Sequence, residues 1–123
     1  MKRIWLGVGL LVALLVVGVA LMQITNRQME TLSQAVEKAS ETQSWEEAIT
    51  IVRSAQAQWQ QKRQLIAAFS DHADVDGVDQ IFAQLEVYQR YGSRLDHAAA
   101  CAQLSEALLN LAEAHALTWW NLL

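Results

Sequence analysis

Residues 44–69, SWEEAITIVRSAQAQWQQKRQLIAAF, carry an apolar period that only an α-helix turns to one side. Trp45, Ile49, Val52, Gln56, Trp59, Arg63 and Ile66 recur at alternating spacings of four and three. Ala48, Ala55 and Phe69 widen that face. Ser44-Trp45-Glu46-Glu47 is a capping box: the Ser44 hydroxyl can accept from the Glu47 amide, and the Glu47 carboxylate can reach back to the Ser44 amide. This start signal and the period together predict a helix that ends near Ser70.

The neighbouring stretches follow the same rule. Downstream, Asp71–Asp76 is expected to be a turn, followed by a helix from about Asp76 to Tyr91. Val78, Ile81, Phe82, Leu85 and Tyr88 face inward there, and Gly92 closes the helix. Ser93-Arg94-Leu95-Asp96 opens a last helix with two adjacent seams. One contains Leu95, Ala98, Ala102, Ser105, Leu109, Ala112, Ala116 and Trp119. The other contains Cys101, Leu104, Leu108, Leu111, His115, Thr118 and Leu122. Upstream, a helix is expected from about Asn26 to Thr42, with Leu32, Ala35, Val36 and Ala39 on one face. Proline is absent, and beyond residue 25 glycine occurs only at Gly77 and Gly92. No alternating strand pattern is present. The fold class is therefore all-α, a small antiparallel bundle of three to four helices.

Residues 4–22, IWLGVGLLVALLVVGVALM, contain no charged side chain. Twelve of these nineteen are Leu, Ile or Val, and as a helix they span about 28 Å, near the thickness of a bilayer's hydrocarbon core. Lys2 and Arg3 precede the run, which by the positive-inside rule keeps the N-terminus in the cytoplasm and exports the rest. Gly18 and Ala20 would suit a signal peptidase. The apolar run is nonetheless longer than the usual 7–15 residues of a cleaved signal, and it continues through Leu21 and Met22. The expected division is a cytoplasmic stub and transmembrane anchor over 1–25 and an extracytoplasmic bundle over 26–123. The expected localisation is the cell membrane, single-pass. Gly9 and Ala13 form a small-xxx-small pair, a pattern too common to assign dimerisation.

Beyond the anchor, seven cations stand against thirteen acids. That balance argues against nucleic acid and against anionic headgroups, which are bound by Lys and Arg. Cys101 is the only cysteine, so no intramolecular disulfide forms, and its alanine-rich flanks point to a buried, inert thiol.

Candidate chemistry is sparse. Aligned on Gly77, Asp74 and Asp76 fit positions three and five of a calcium loop. His72 then falls at position one and Ala83 at twelve, where strong oxygen ligands are needed, so the acids read better as a capped helix start. His72, His97 and His115 lack metal-ligand spacing, and His115 is expected to be a hydrogen-bonded core residue. There is no nucleophile–base order, phosphate loop or CxxC. No catalytic residue, cofactor or metal is therefore expected. Trp119 continues a core seam, whereas Trp120 lies about 100° round the helix, above Glu113 on the outer face. Trp119, Trp120 and Leu123 are the expected contact with a membrane interface or a partner.

Lys2-Arg3 before a single span, Ser44-Trp45-Glu46 with Ala48, Trp59, Asp71-His72, Val78-Asp79, Leu85, Tyr88, His115 and the terminal Asn121-Leu122-Leu123 occur in a characteristic order. Over essentially its whole length the chain resembles the domain-of-unknown-function family numbered 4363, short membrane-anchored helical proteins of Gram-positive bacteria. The chain is richer in Gln and Ala than that family's Lys- and Glu-rich pattern. The resemblance implies an anchor and a bundle and supplies no catalytic residues. The expected role is a non-enzymatic, membrane-anchored interaction or scaffold module with a membrane-protein partner. The alternative is a ligand-sensing four-helix bundle acting through such a partner.

Overall fold

A computed structural model describes residues 2–122, with the side chains of Phe69 and of residues 114–122 outside the description. It contains four helices and, among the described residues, no strand: α1 (Lys2–Glu41), α2 (Trp45–Phe69), α3 (His72–Tyr91) and α4 (Arg94–Leu122). Short turns reverse the chain three times, so the helices form an up-down-up-down ring in which each packs on its two neighbours. The α1–α4 interface is the most extensive and the α2–α3 interface the slightest of the neighbouring pairs.

α1 is a single helix of 40 residues. Nothing from Met22 to Arg27 breaks it, and the expected boundary at 25/26 falls inside it. Residues Ile4 to Val17 are exposed along their whole length, and α1 is long and apolar enough to cross a membrane. From Thr25 onward the same helix enters the bundle and buries Met29, Leu32, Ser33, Val36 and Ala39. The end of the bundle beside the apolar extension is its base, and the opposite end is its tip.

Half of the capping box at Ser44 forms as the sequence indicates; its return bond does not, because the Ser44 N–H donates to Thr42 Oγ1 at 3.3 Å and the Glu47 carboxylate accepts from the Thr42 hydroxyl. Glu47 N–H donates to Ser44 Oγ at 3.3 Å, and α2 ends at Ser70. Ala48, Val52, Ala55, Trp59 and Ile66 are buried, which confirms the helical face. Gly92 adopts φ 67° and donates its N–H to the Tyr88 carbonyl, a left-handed cap that favours glycine.

Two expectations are corrected. α3 starts at His72, a full turn before Asp76, so Asp74, Asp76 and Gly77 lie within the helix. Asp71 is its cap: the Ala73 N–H donates to Asp71 Oδ1 at 3.2 Å, and the Asp71 carbonyl accepts from Asp74 and Val75. The unfavourable propensity of Gly77, about 1 kcal/mol against alanine, is outweighed by burial of Val75 and Val78 on the first two turns. On α4, the seam through Leu95 and Leu109 is only partly buried: Ser105 and Ala112 are inside, whereas Leu95 is 85% exposed and Ala102 and Leu109 are exposed. The buried line is His97, Cys101, Leu104, Leu108 and Leu111, flanked by Ala100, Ser105 and Ala112. α4 packs chiefly on α1 and α3 and only slightly on α2, so an arc as wide as both seams is not fully covered.

Candidate functional site

Among the described residues, polar side chains gather at the α1–α2 turn, where Lys38, Thr42, Ser44 and Glu47 meet, and at places between helices that follow from helix register. Between α2 and α3, Trp59 is 1% exposed, yet its indole N–H donates to Asp79 Oδ1 at 2.7 Å. Arg63 Nε, one turn along α2, donates to Asp79 Oδ2 at 2.8 Å, and its Nη2 lies 3.7 Å from Asp76 Oδ1. Asp79 thus uses both oxygens to lock a buried tryptophan and a half-exposed arginine onto α3. Farther along the seam Gln56 Nε2 donates to Glu86 Oε1 at 3.1 Å. The grooves that remain there hold about 400 and 350 Å³, and Gln56, Gln60, Glu86 and Arg90 are among the residues that line them.

Between α1 and α4, Ser33 and Ser105 face each other in the interior. Ser33 Oγ donates to the Ser105 carbonyl at 2.8 Å, and Ser105 Oγ donates to the Ser33 carbonyl at 3.0 Å. The two hydroxyls lie 2.9 Å apart. Two small side chains at this level let the backbones approach closely enough for reciprocal bonding.

At the tip, His97 is fully buried beneath Trp45, with ring centroids 4.9 Å apart in edge-to-face contact. Gln89 Nε2 can only donate, and it lies 3.2 Å from His97 Nε2. On the other side of the ring, His97 Nδ1 lies 3.8 Å from Cys101 Sγ. Burial lowers the pKa of His97 and pushes the Cys101 thiol up to about 11. The pair is thus a neutral imidazole beside a protonated thiol, the opposite of an activated nucleophile. Arg94 lies over the Trp45 ring, 5.8 Å from its centroid. An open cavity of about 380 Å³ beside them is lined by Trp45, Arg94, Leu95 and His97 together with residues of the α1–α2 turn.

The sequence-derived candidates distribute as follows. Asp71 caps α3, Asp76 pairs with Arg63, and His72 is exposed. Among the described residues no three His, Cys, Asp or Glu side chains are grouped to hold a metal. The side chains of His115, Trp119, Trp120 and Leu123 lie outside the described residues. Sequence reasoning missed His97 as a core residue. The signal was available, because 97, 101, 104, 108 and 111 continue the four-three period back to the first turn of α4.

A family model described as Domain of unknown function (DUF4363) matches residues 16–122. No curated protein and no solved structure matches the chain.

Proposed function

The chain belongs to the DUF4363 family, and from that premise we propose that it is a non-enzymatic, membrane-anchored helical interaction or scaffold module. In this reading Ile4–Met22 crosses the cytoplasmic membrane once, the N-terminus stays inside, and the bundle stands outside as a docking body for a membrane-protein partner. One observation carries it. The fully exposed apolar half of α1 and the core-forming half are one unbroken helix, so the anchor and the bundle are rigidly joined. Exposed apolar surface on this scale is stable in lipid and a liability in water. The Lys2/Arg3 asymmetry supports the orientation.

The antiparallel register supports a second element of the proposal. Ser33 opposite Ser105 and Trp45 against His97 make α4 run back toward the base. A contact of Trp119, Trp120 and Leu123 with the headgroup region or a membrane partner fits that direction. A ligand-sensing role through a partner is the alternative, and the observation that favours it is the tip cavity between Trp45, Arg94 and His97.

Protease treatment of intact protoplasts, followed by alkaline extraction of the membranes, tests the anchor and its orientation. The expected result is a chain that resists extraction and loses its bundle to external protease while a cytoplasmic control survives. A mature N-terminus at Leu21 would remove the anchor, and a bundle that stays protected would reverse the orientation. Retention of a small molecule by the purified chain, lost on Trp45→Ala, would favour the sensor.

A further inference from the structure

α1 carries a seam that its own bundle leaves uncovered. Leu10, Val17, Ile24 and Thr31 recur every seven residues and are exposed, Ile24 at 53% although it lies past the apolar run. Four residues after each come Leu14, Leu21, Gln28 and Ala35, exposed or half-buried. These two series interleave as an uninterrupted four-three heptad of about 37 Å, the pattern of a left-handed helix pair. No position in it is charged. The upper end runs into a groove of about 320 Å³ between α1 and α2, where Thr31 and Ala35 meet Ile51, Ser54 and Gln58.

We propose that this seam is the interface of a parallel homodimer, in which the α1 of a second copy lies along α1 and enters the α1–α2 groove. The proposal rests on the anchored reading, which fixes every copy at the same height and in the same direction in the bilayer. A two-fold axis parallel to the helix then places each seam residue opposite its own counterpart. Such a like-on-like contact tolerates no charge in the seam, because identical charges would repel. The seam satisfies this over four heptads, whereas Glu30 and Glu37 of the same helix lie outside it. In lipid the contact gains from packing rather than from water exclusion. Above the apolar run, burial of the exposed Ile24 and of Ala35 and Ile51 at the groove contributes as well.

Disulfide cross-linking of the full chain in its own membranes tests this, with Cys101→Ala as background and single cysteines at Ile24, Gln28 and Thr31 against Gln23, Glu30 and Glu37. The seam positions should shift from the mass of one chain to twice that mass, and the others should not. Adding Thr31→Glu to Ile24→Cys should abolish the shift. Equal cross-linking at both sets, none at either, or a mass that reveals a different partner overturns the homodimer. Alkaline extraction of the same membranes separates the two readings. A chain released from the membrane removes anchor and dimer together, whereas a chain that stays but shows no seven-residue period removes the dimer alone.

Discussion

The α1–α4 and α2–α3 pairs are both antiparallel helix pairs of one ring, yet their chemistry differs. α1 and α4 meet through apolar side chains and small polar ones, with Met29, Val36, Cys101, Leu104 and Leu108 around the Ser33–Ser105 bonds. α2 and α3 share a thinner apolar line, and the gap between them is spanned by Trp59, Arg63, Gln56, Asp79 and Glu86. Close packing transmits displacement, whereas a seam of long polar side chains around grooves of 350–400 Å³ has slack. The pair containing the apolar extension is therefore the rigid half, and the α2–α3 hairpin is the half that opens first.

The largest expected effect lies at the lock of the softer pair. Trp59→Ala removes the biggest fully buried side chain and leaves Asp79 Oδ1 without its donor. It should destabilise the chain by about 3–5 kcal/mol, close to the whole stability of a small bundle. Trp59→Phe keeps most of the burial and loses only the hydrogen bond to a charged acceptor, about 1.5–3 kcal/mol. Denaturant unfolding of the detergent-solubilised chain, followed by circular dichroism, checks both. If the two variants unfold alike, the ring's volume contributes nothing beyond its N–H, and the contrast between the pairs fails.

A smaller loss is expected at the tight pair. Ser33→Leu forces two extra heavy atoms between α1 and α4, and overpacking of this kind costs typically about 1–3 kcal/mol. Replacing Ser33 and Ser105 together by alanine removes both hydroxyl donors and leaves the two accepting carbonyls in place, so it should cost about 0.5–1.5 kcal/mol per bond, and less than the sum of the singles because the hydroxyl–hydroxyl contact is shared. A melting series over the single and double variants reads this directly. A double variant as damaged as the sum of its singles would show that the hydroxyls act independently.

Most of the fold was legible because helix signals are local. The Ser44 cap, the four-three period of α2 and the glycine at 92 act within a few residues, and each appears where the sequence places it, although the Ser44 amide turns to Thr42 rather than to Glu47. What was not legible depends on neighbours. The inward arc of α4 could be narrowed only by knowing that two helices flank it, so Leu95 was misplaced and His97 overlooked. The early start of α3 turned on the competition between an Asp71 cap with Val75 burial and the poor propensity of Gly77, and propensity alone decides that wrongly. The polar lock was half visible: Trp59 and Arg63 stand one turn apart, but their shared acceptor Asp79 comes from another helix.

A single titrating group separates the tip from the rest of the bundle. His97 is held neutral with a lowered pKa, while in the unfolded chain it titrates near the usual 6.5. Below that value the unfolded chain binds a proton that the folded chain refuses. Stability should therefore fall as pH drops from about 6.5 toward the folded-state pKa, then level off for this group. His97→Gln should remove this component while the carboxylates' contribution persists. Melting temperatures at several pH values between neutral and mildly acidic, for both chains, give the difference. Identical pH slopes would place His97 in contact with water.

The smallest expected effect is a gain, and it asks which half opens. Gly77 sits inside α3 at negative φ, and a Cβ built on it meets nothing within 4 Å. Gly77→Ala should therefore stabilise the helix by about 0.5–1 kcal/mol, through lower backbone entropy in the unfolded state and better propensity in the folded one. Where that gain is felt depends on how the ring comes apart. If the α2–α3 hairpin opens as a unit before the α1–α4 pair, amide exchange should slow across both α2 and α3, while exchange in α1 and α4 changes only through global unfolding. The comparison is sharp because α3 also packs on α4 more extensively than on α2. Slowing spread evenly over all four helices would mean that the ring opens in a single step, with the polar seam no softer than the apolar one.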